Sequence, residues 1–312
     1  MPEVRVGGRR WDVAAASNLL DALLGAGVAV PYSCRAGSCQ ACLVRCVAGE
    51  PHDAKPEALD APRREQGWRL ACQCSVVEPL QVEVFDPTRD AMPAQVQAVQ
   101  WLSERVLHLR LQPQQPLRYR AGQHLLLCTA DGIARPYSLA CLPGEDADLG
   151  FHIDCGRPGA FCDAARQLQV GDSLHLGALS GAALHYDPDW QERPLWLLGA
   201  GTGLAPLWAL LREALRQEHQ GPIRVVHLAS TGAEHYLADP LLALAERHSQ
   251  LQVELIEAAA MPAFLAALRP PSRQTVALLC GGPETVDAVS RRLYLAGLPR
   301  SQLLSDLFLP HA

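Results

Sequence analysis

Cys34-Arg35-Ala36-Gly37-Ser38-Cys39-Gln40-Ala41-Cys42 puts three thiols within nine residues, and Cys72 follows after 29 intervening positions. These four belong to a set of 11 cysteines in 312 residues, which disulfides, a metal site or a redox site could each explain. The N-terminal stretch MPEVRVGGRRWDVAAASNLLDALLGAG scatters charges and polar groups and holds no continuous apolar core. It reads as no export signal, so the chain is expected in the cytoplasm, where thiols stay reduced. Apolar stretches such as 194–200 fall far short of the roughly 18 residues that a membrane span needs. An odd number of cysteines cannot pair completely, and metal ligation is preferred for the clustered ones.

Composition narrows the classes further. Hydrophobic residues are 49% and charged residues 19% of the chain, a globular balance that excludes wholesale disorder. A net charge of −6 and a pI near 6.0 leave no basic excess to neutralise phosphates, which argues against nucleic acid as a partner. Lys55 is the only lysine among 27 basic residues, a coding bias more than a mechanism.

Three segments differ in character. Residues 1–90 hold Cys34, Cys39, Cys42, Cys46, Cys72 and Cys74. Residues 85–93 are polar and bracketed by prolines, and they read as a linker. From 94 to 188 short β-rich runs alternate with turn signals, over 94–99, 106–111, 123–128, 137–140, 150–153 and 173–176, as in a small antiparallel barrel. From 189 to 312 strands over 195–198, 223–228, 251–256 and 276–280 alternate with helices over 204–218 and 237–248. That alternation is the mark of a parallel, doubly wound sheet.

The C-x4-C-x2-C run with a distant fourth cysteine has the spacing of a [2Fe–2S] site. Four thiolates must converge on two irons, and Gly37 with the small Ala36 and Ser38 allows the backbone close to the sulfides. A structural zinc on Cys39, Cys42, Cys72 and Cys74 is the rival, although it gives Cys34 no role. The sequence before Cys72, Gly67-Trp68-Arg69-Leu70-Ala71, resembles the segment before the last ligand of plant-type ferredoxins. The resemblance implies a β-grasp α+β domain with Cys34, Cys39, Cys42 and Cys72 as ligands, and leaves Cys46 and Cys74 as packing thiols. Residues 1–90 carry 10 basic and 12 acidic side chains, whereas free ferredoxins of this type are strongly acidic. A cluster tethered to its own reductase has less need of long-range steering.

Arg135-Pro136-Tyr137-Ser138 opens a strand, and Gly156-Arg157-Pro158-Gly159-Ala160-Phe161-Cys162 precedes a helical run over 163–168. A glycine-containing turn that feeds a helix N-terminus is an anion site. Together these segments resemble the FAD domain of the ferredoxin–NADP reductase superfamily. The likeness implies Arg135 and Pro136 at the flavin, with Arg135 on the pyrophosphate, Tyr137 stacked on the isoalloxazine and Ser138 near its reactive nitrogen. Gly159, Ala160 and Cys162 line the phosphate turn in this reading, with Cys162 where a hydroxyl residue usually stands. Gly177-Ala178-Leu179-Ser180-Gly181 is a loose form of a further glycine turn of that family.

Gly199-Ala200-Gly201-Thr202-Gly203-Leu204-Ala205-Pro206 lies between a strand and a helix, where glycines let the backbone approach a pyrophosphate. It resembles the G-x-G-T-G-x-A-P of the same superfamily, which assigns Gly199, Gly201, Thr202 and Gly203 to the nicotinamide cofactor. Cys280-Gly281-Gly282-Pro283 ends a strand, and the resemblance sets Cys280 and Gly281 beside the nicotinamide; a buried structural thiol is the other reading. Asp306-Leu307-Phe308 is similar to the acidic-x-aromatic tail that packs near the flavin in these reductases, which gives Phe308 a place there. Residues 229–236 contain no Arg or Lys to hold a 2′-phosphate, and Glu234 would repel one. NADH is preferred over NADPH. His108, His124, His152, His175 and His185 show no ligand spacing and read as surface or satisfied interior groups.

The order of the three parts resembles the reductase components of Rieske-type aromatic dioxygenases and soluble diiron monooxygenases, and the ferredoxin-fused reductases of deoxysugar dehydrases. It implies an NAD(P)H-dependent ferredoxin reductase, monomeric and cytoplasmic, with [2Fe–2S], FAD and a nicotinamide. The catalytic set is then Tyr137, Ser138 and Cys280, and the partner a protein electron acceptor such as an oxygenase. An electron-carrier adaptor without flavin and a zinc-stabilised module on a nucleotide-sensing domain are the non-reductase readings.

Overall fold

The first ninety residues build a mixed sheet around the cysteine loop. In the computed structural model, which describes residues 1–181 and 183–309, these strands are β1 (Glu3–Val6), β2 (Arg9–Asp12), β3 (Ser17–Asn18), β4 (Leu43–Ala48), β5 (His52–Asp53), β6 (Trp68–Leu70), β7 (Cys74–Val76) and β8 (Leu80–Val84). The main sheet runs β2-β1-β8-β4-β6, with β1 and β8 parallel, and β3-β7-β5 form a small second sheet. Helix α1 (Leu19–Gly25) starts where the Asn18 side chain accepts the Asp21 N–H at 3.2 Å. It buries Leu19, Leu20 and Leu23 against the sheet, a spacing that lays one face inward. Helix α2 (Ala61–Glu65) precedes β6.

The segment expected as a linker is folded. Asp86 caps α3 (Pro87–Asp90) through the Thr88 N–H at 2.9 Å, with Pro87 in the first turn, and β9 starts at Met92. Proline at a helix start is pre-organised for the helix, so the same prolines that suggested a linker build a capped turn.

The middle segment contains β9 (Met92–Trp101), β10 (Val106–Pro113), β11 (His124–Cys128), β12 (Ala134–Ser138), β13 (Leu149–Asp154), α4 (Ala160–Ala165) and β14 (Ser173–Ser180). Its sheet order is β12-β11-β14-β9-β10-β13, antiparallel throughout. Leu139 bridges Phe151, which brings the two edge strands together and closes the barrel. Three expectations shift here. The strand expected at 137–140 is 134–138, so the Arg-Pro-Tyr-Ser motif lies inside it. The helix expected at 163–168 begins at Ala160 and lasts only six residues. Gly177–Ser180 is no turn: β14 runs through it, with a register shift opposite Leu125 and Leu127, and the chain turns only at Gly181, φ +88°.

The last segment holds β15 (Leu195–Ala200), α5 (Leu204–Arg216), β16 (Ile223–Ala229), α6 (Ala238–Arg247), β17 (Leu251–Glu257), α7 (Met261–Ala267), β18 (Val276–Gly281), α8 (Pro283–Leu295) and β19 (Leu303–Leu307). All five strands are parallel, ordered β17-β16-β15-β18-β19. Leu195–Leu198 and all of β18 are buried, as helices on both faces require. The order reverses between β15 and β18, and the crevice at their C-terminal ends is where such sheets bind ligands. The tail strand β19, unforeseen in the sequence, places Asp306 at that crevice. No helix among the described residues is long and apolar enough to cross a membrane.

Candidate functional site

The cysteine loop leaves α1 and coils tightly. Arg35, Gly37 and Gln40 all have left-handed backbones, with φ of +51°, +82° and +54°. The coil turns backbone N–H groups onto sulfur: Ala36 and Cys39 donate to Cys34 Sγ at 3.3 and 3.4 Å, and Cys34 N–H donates to Cys39 Sγ at 3.5 Å. From the short 3-10 turn Ala71–Gln73 between β6 and β7, Gln73 Nε2 donates to Cys72 Sγ at 3.2 Å. The four thiols meet two by two, Cys34 with Cys39 and Cys42 with Cys72. The Cys39 contact and the surrounding N–H donors hold the Cys34 thiol down at about 4, and contact with Cys42 and Gln73 holds Cys72 at about 7. Their partners Cys39 and Cys42 rise in consequence.

Two thiol pairs are what two irons bridged by sulfides require. Among the described residues no group of three or more Cys, His, Asp or Glu side chains is gathered as for a single metal ion. Cys74, which the zinc scheme needs, is fully buried on β7, and burial pushes its thiol up. These residues fit a [2Fe–2S] cluster.

Beside the loop opens a cavity of about 230 Å³ walled by all three segments. Cys34, Ser38 and Cys39 come from the first, His124, Arg135, Pro136, Tyr137 and Ser138 from the barrel, and Thr202, Asp306 and Phe308 from the parallel sheet. Register explains part of this: β11 and β12 pair so that His124 faces Ser138. Tyr137 packs its ring 5.0 Å from Phe161, and burial, followed by the Cys162 and Cys155 thiols nearby, pushes its phenol well above the usual range. Phe308 N–H donates to Gly281 O at 2.8 Å, which fixes the tail at the cavity. His124 Nε2 is buried there with no hydrogen-bond partner of good geometry among the described residues. A polar ligand atom would satisfy it, and the aromatic and polar lining fits a flavin ring.

Other expected contacts lie elsewhere. Arg135 Nη1 donates to the Tyr32 carbonyl at 3.1 Å and to the Ala134 carbonyl at 2.7 Å, so this side chain also ties the barrel to the cysteine segment. Gly159 and Ala160 begin α4 but reach neither cavity described here. Cys162 Sγ donates to the Asp154 carbonyl at 3.2 Å and touches Cys155, so it does not cap the helix as a hydroxyl would. Cys280 is 1% exposed and lines neither cavity; burial pushes its thiol well up.

A second cavity, about 370 Å³, opens at the C-terminal ends of β15, β16 and β17 and holds Gly201, Thr202, Ser230, Glu234 and Glu257. Thr202 lines both cavities, so they share a wall. A Cβ on Gly203 would stand 2.2 Å from the Cys280 carbonyl oxygen, and on Gly199 2.8 Å from Leu204 Cα. Both glycines are needed for the strand ends to approach, which brings the turn over the crevice. The exposed turn backbone at the N-terminal end of α5 fits a dinucleotide phosphate.

Sequence reasoning missed Arg105, which donates to Glu234 at 2.6 Å and lies 3.4 Å from Asp154. It carries a cation from the barrel into the second cavity, so Glu234 does not face that cavity alone. It also missed His124 and His152. His152 lines the first cavity and lies 3.2 Å, Nδ1 to hydroxyl, from Tyr236 across the segment boundary. No local pattern announces these residues, because their partners are 129 and 84 positions away.

Residues 4–77 match the 2Fe-2S iron-sulfur cluster binding domain, 94–184 the oxidoreductase FAD-binding domain and 197–263 the oxidoreductase NAD-binding domain. The reductase component of the naphthalene 1,2-dioxygenase/salicylate 5-hydroxylase systems of Ralstonia sp. is 30% identical over 94% of this chain and 94% of its own length. The reductase subunit of an aromatic O-demethylase from Amycolatopsis sp. is 31% identical over 91% of this chain and 92% of its own. A solved cytochrome P450 reductase from Amycolatopsis covers 100% of both chains with a TM-score of 0.67 and 27% identity. With three matched domains in this order and full-length relatives at this identity, the chain belongs to the family of iron–sulfur flavoprotein ferredoxin–NAD(P)+ reductases that serve as oxygenase reductase components.

Proposed function

We propose that this reductase takes its electrons from NADH in the second cavity and holds FAD in the first. Cys34, Cys39, Cys42 and Cys72 hold the [2Fe–2S] cluster, and an oxygenase component receives the electrons. One observation carries the reading: a single cavity is walled by the cysteine loop, the Arg135–Ser138 strand and the Thr202–Asp306 crevice. When bound, the nicotinamide supplies a hydride, and the flavin takes two electrons and gives them up one at a time.

The chain supplies position. Tyr137 and Phe308 offer apolar faces to the ring, Ser138 and His124 offer hydrogen bonds at its edge, and Arg135 offers charge beside the ferredoxin segment. The Gly199–Gly203 turn and Gly281 bring the nicotinamide end toward the same ring. Cys280, sealed off from both cavities, serves this arrangement through its backbone at the Gly203 contact.

Preference for NADH rests on charge. The second cavity presents the carboxylates of Asp154, Glu234 and Glu257 against the single guanidinium of Arg105, which disfavours an added 2′-phosphate. The oxygenase and demethylase systems named for the two relatives support an oxygenase as acceptor over a deoxysugar dehydrase. The test is NADH-dependent bleaching of flavin and cluster, followed by transfer to candidate oxygenases, beginning with those encoded beside this protein. A higher kcat/KM with NADPH than with NADH would reverse the nucleotide assignment. A cluster that dithionite reduces and NADH does not would defeat the electron path.

A further inference from the structure

Two buried histidines lie directly beneath the dinucleotide turn. His227, on β16, is 0% exposed, and His235 is 8% exposed. Their Nδ1 atoms are 3.2 Å apart, and His227 Nε2 lies 3.1 Å from the Gly201 carbonyl oxygen. These contacts fix the proton positions. A carbonyl only accepts, so His227 Nε2 carries a hydrogen. Burial keeps the His227 ring neutral, so its Nδ1 is a bare lone pair that must accept from His235 Nδ1–H. The remaining nitrogen, His235 Nε2, is then the bare acceptor of that ring, and it is buried with no partner among the described residues.

The end of this chain is Gly201, the left-handed residue of the turn, φ +54°. Its carbonyl accepts from the Leu204 N–H as well as from His227. No peptide bond among the described residues is cis, and in a trans peptide the carbonyl and the next N–H point opposite ways. Drawing the Gly201 carbonyl back onto β16 therefore turns the Thr202 N–H outward, toward the cavity that Gly201 and Thr202 line.

We propose that His227, held in one tautomer by His235, is a positioning residue that orients the Gly201–Thr202 peptide so that the Thr202 N–H meets the diphosphate of the nicotinamide dinucleotide. The inference rests on the second cavity being the NADH site and adds to it a source of affinity outside that cavity. His227 touches neither nucleotide nor flavin, so its effect falls on binding of the diphosphate and spares the chemical step.

The test uses the intact holoprotein as wild type, His227→Leu and His227→Gln, titrated with NADH, ADP-ribose and adenosine. Leucine removes the donor; glutamine places an amide N–H near the position of Nε2. His227→Leu is expected to raise the Kd for NADH and for ADP-ribose about tenfold, the worth of one hydrogen bond to a charged group. Its Kd for adenosine, which lacks the diphosphate, stays within about twofold of wild type. His227→Gln recovers most of the loss, and the limiting rate of flavin reduction at saturating NADH changes less than about twofold in both variants. Equal weakening for adenosine, an unchanged Kd for ADP-ribose, or no recovery by glutamine would overturn the positioning role. A wild-type protein that binds neither NADH nor ADP-ribose would overturn the nucleotide site itself, and the inference with it.

Discussion

Replacing Gly203 with alanine tests how closely the nicotinamide turn must approach the end of β18. The new Cβ would stand 2.2 Å from the Cys280 carbonyl oxygen, 2.5 Å from its carbon and 2.8 Å from Gly281 Cα. All three are backbone atoms, so no side chain can swing away. Ordinary contact begins at 3.4 Å, and the turn must therefore separate from β18 by about 1.2 Å along the shortest of these vectors. Forcing a group into a closed backbone seam costs about 1–3 kcal/mol of stability. The functional loss is larger, because a 1 Å misplacement at a reacting centre costs about 10²-fold in rate. Gly203→Ala is expected to fold with flavin and cluster bound, since neither Gly203 nor Cys280 lines the first cavity, and to lose about 10²-fold in NADH-driven flavin reduction by stopped flow. Dithionite should still reduce the cluster fully. An alanine variant with wild-type NADH affinity and hydride-transfer rate would show that the tight seam has no part in placing the nicotinamide.

Cys39→Ser should lose the cluster absorbance yet keep NADH oxidation by artificial two-electron acceptors; loss of both activities in a folded variant would refute the division of labour. Burial, with a smaller contribution from His108, pushes His152 down to about 3, below its value in an unfolded chain. The unfolded state therefore takes up the proton first, and His152 favours folding above about pH 6.5 and less so as pH falls toward 3. Between pH 6 and pH 5, His152→Gln should lose about 1 kcal/mol less stability in urea than wild type, and an identical pH slope would mean that His152 titrates normally. Flavin-to-cluster electron transfer should change less than about twofold as ionic strength rises through the range where the Debye length falls from about 10 to 3 Å; a several-fold fall in laser-flash kinetics would require an ion pair between residues 1–90 and the barrel, and none is present among the described residues.

The contiguous motifs were legible because their chemistry is local. Cys34 to Cys42 must lie in one loop to present three thiolates, and Gly199 to Gly203 must lie in one turn to uncover backbone amides. What stayed hidden is assembled by sheet order. Arg105 reaches Glu234 only because the barrel and the parallel sheet share a face, and His124 reaches the first cavity because β11 pairs with β12 in one register. The glycines at 177 and 181 misled for a related reason. Gly177 lies in a strand where Leu126 crowds it, with side-chain carbons 3.1 Å from where its Cβ would be, so it answers to packing in β14 and not to a turn. Periodicity placed the parallel strands well and missed β19, whose exposed Ser305 and half-buried neighbours break the apolar run that a central strand shows.

Both interdomain contacts are apolar at heart, since Val106, Ala121 and Leu142 of the barrel join the buried core of the nicotinamide segment, and they differ in the charge added at the join. Ion pairs join the barrel to the nicotinamide segment: Arg105 with Glu234, Arg212 with Asp146 at 2.7 Å and with Glu145 at 3.2 Å. Among the described residues no ion pair joins residues 1–90 to the rest of the chain. There the apolar core continues from the ferredoxin segment through Leu126, Cys128 and Ala134 of the barrel, and Arg135 adds a bond to the neutral Tyr32 carbonyl. Apolar burial is non-directional and presents no charge pair for salt to screen, so the join of the ferredoxin segment to the barrel does not depend on electrostatic attraction. The substrate nucleotide, by contrast, must come and go, and Arg105 with Glu234 lines the cavity it enters. A half-exposed ion pair is worth little in stability and is easily exchanged. An apolar join needs no long-range steering, and the net charge of only −2 on residues 1–90 agrees with that.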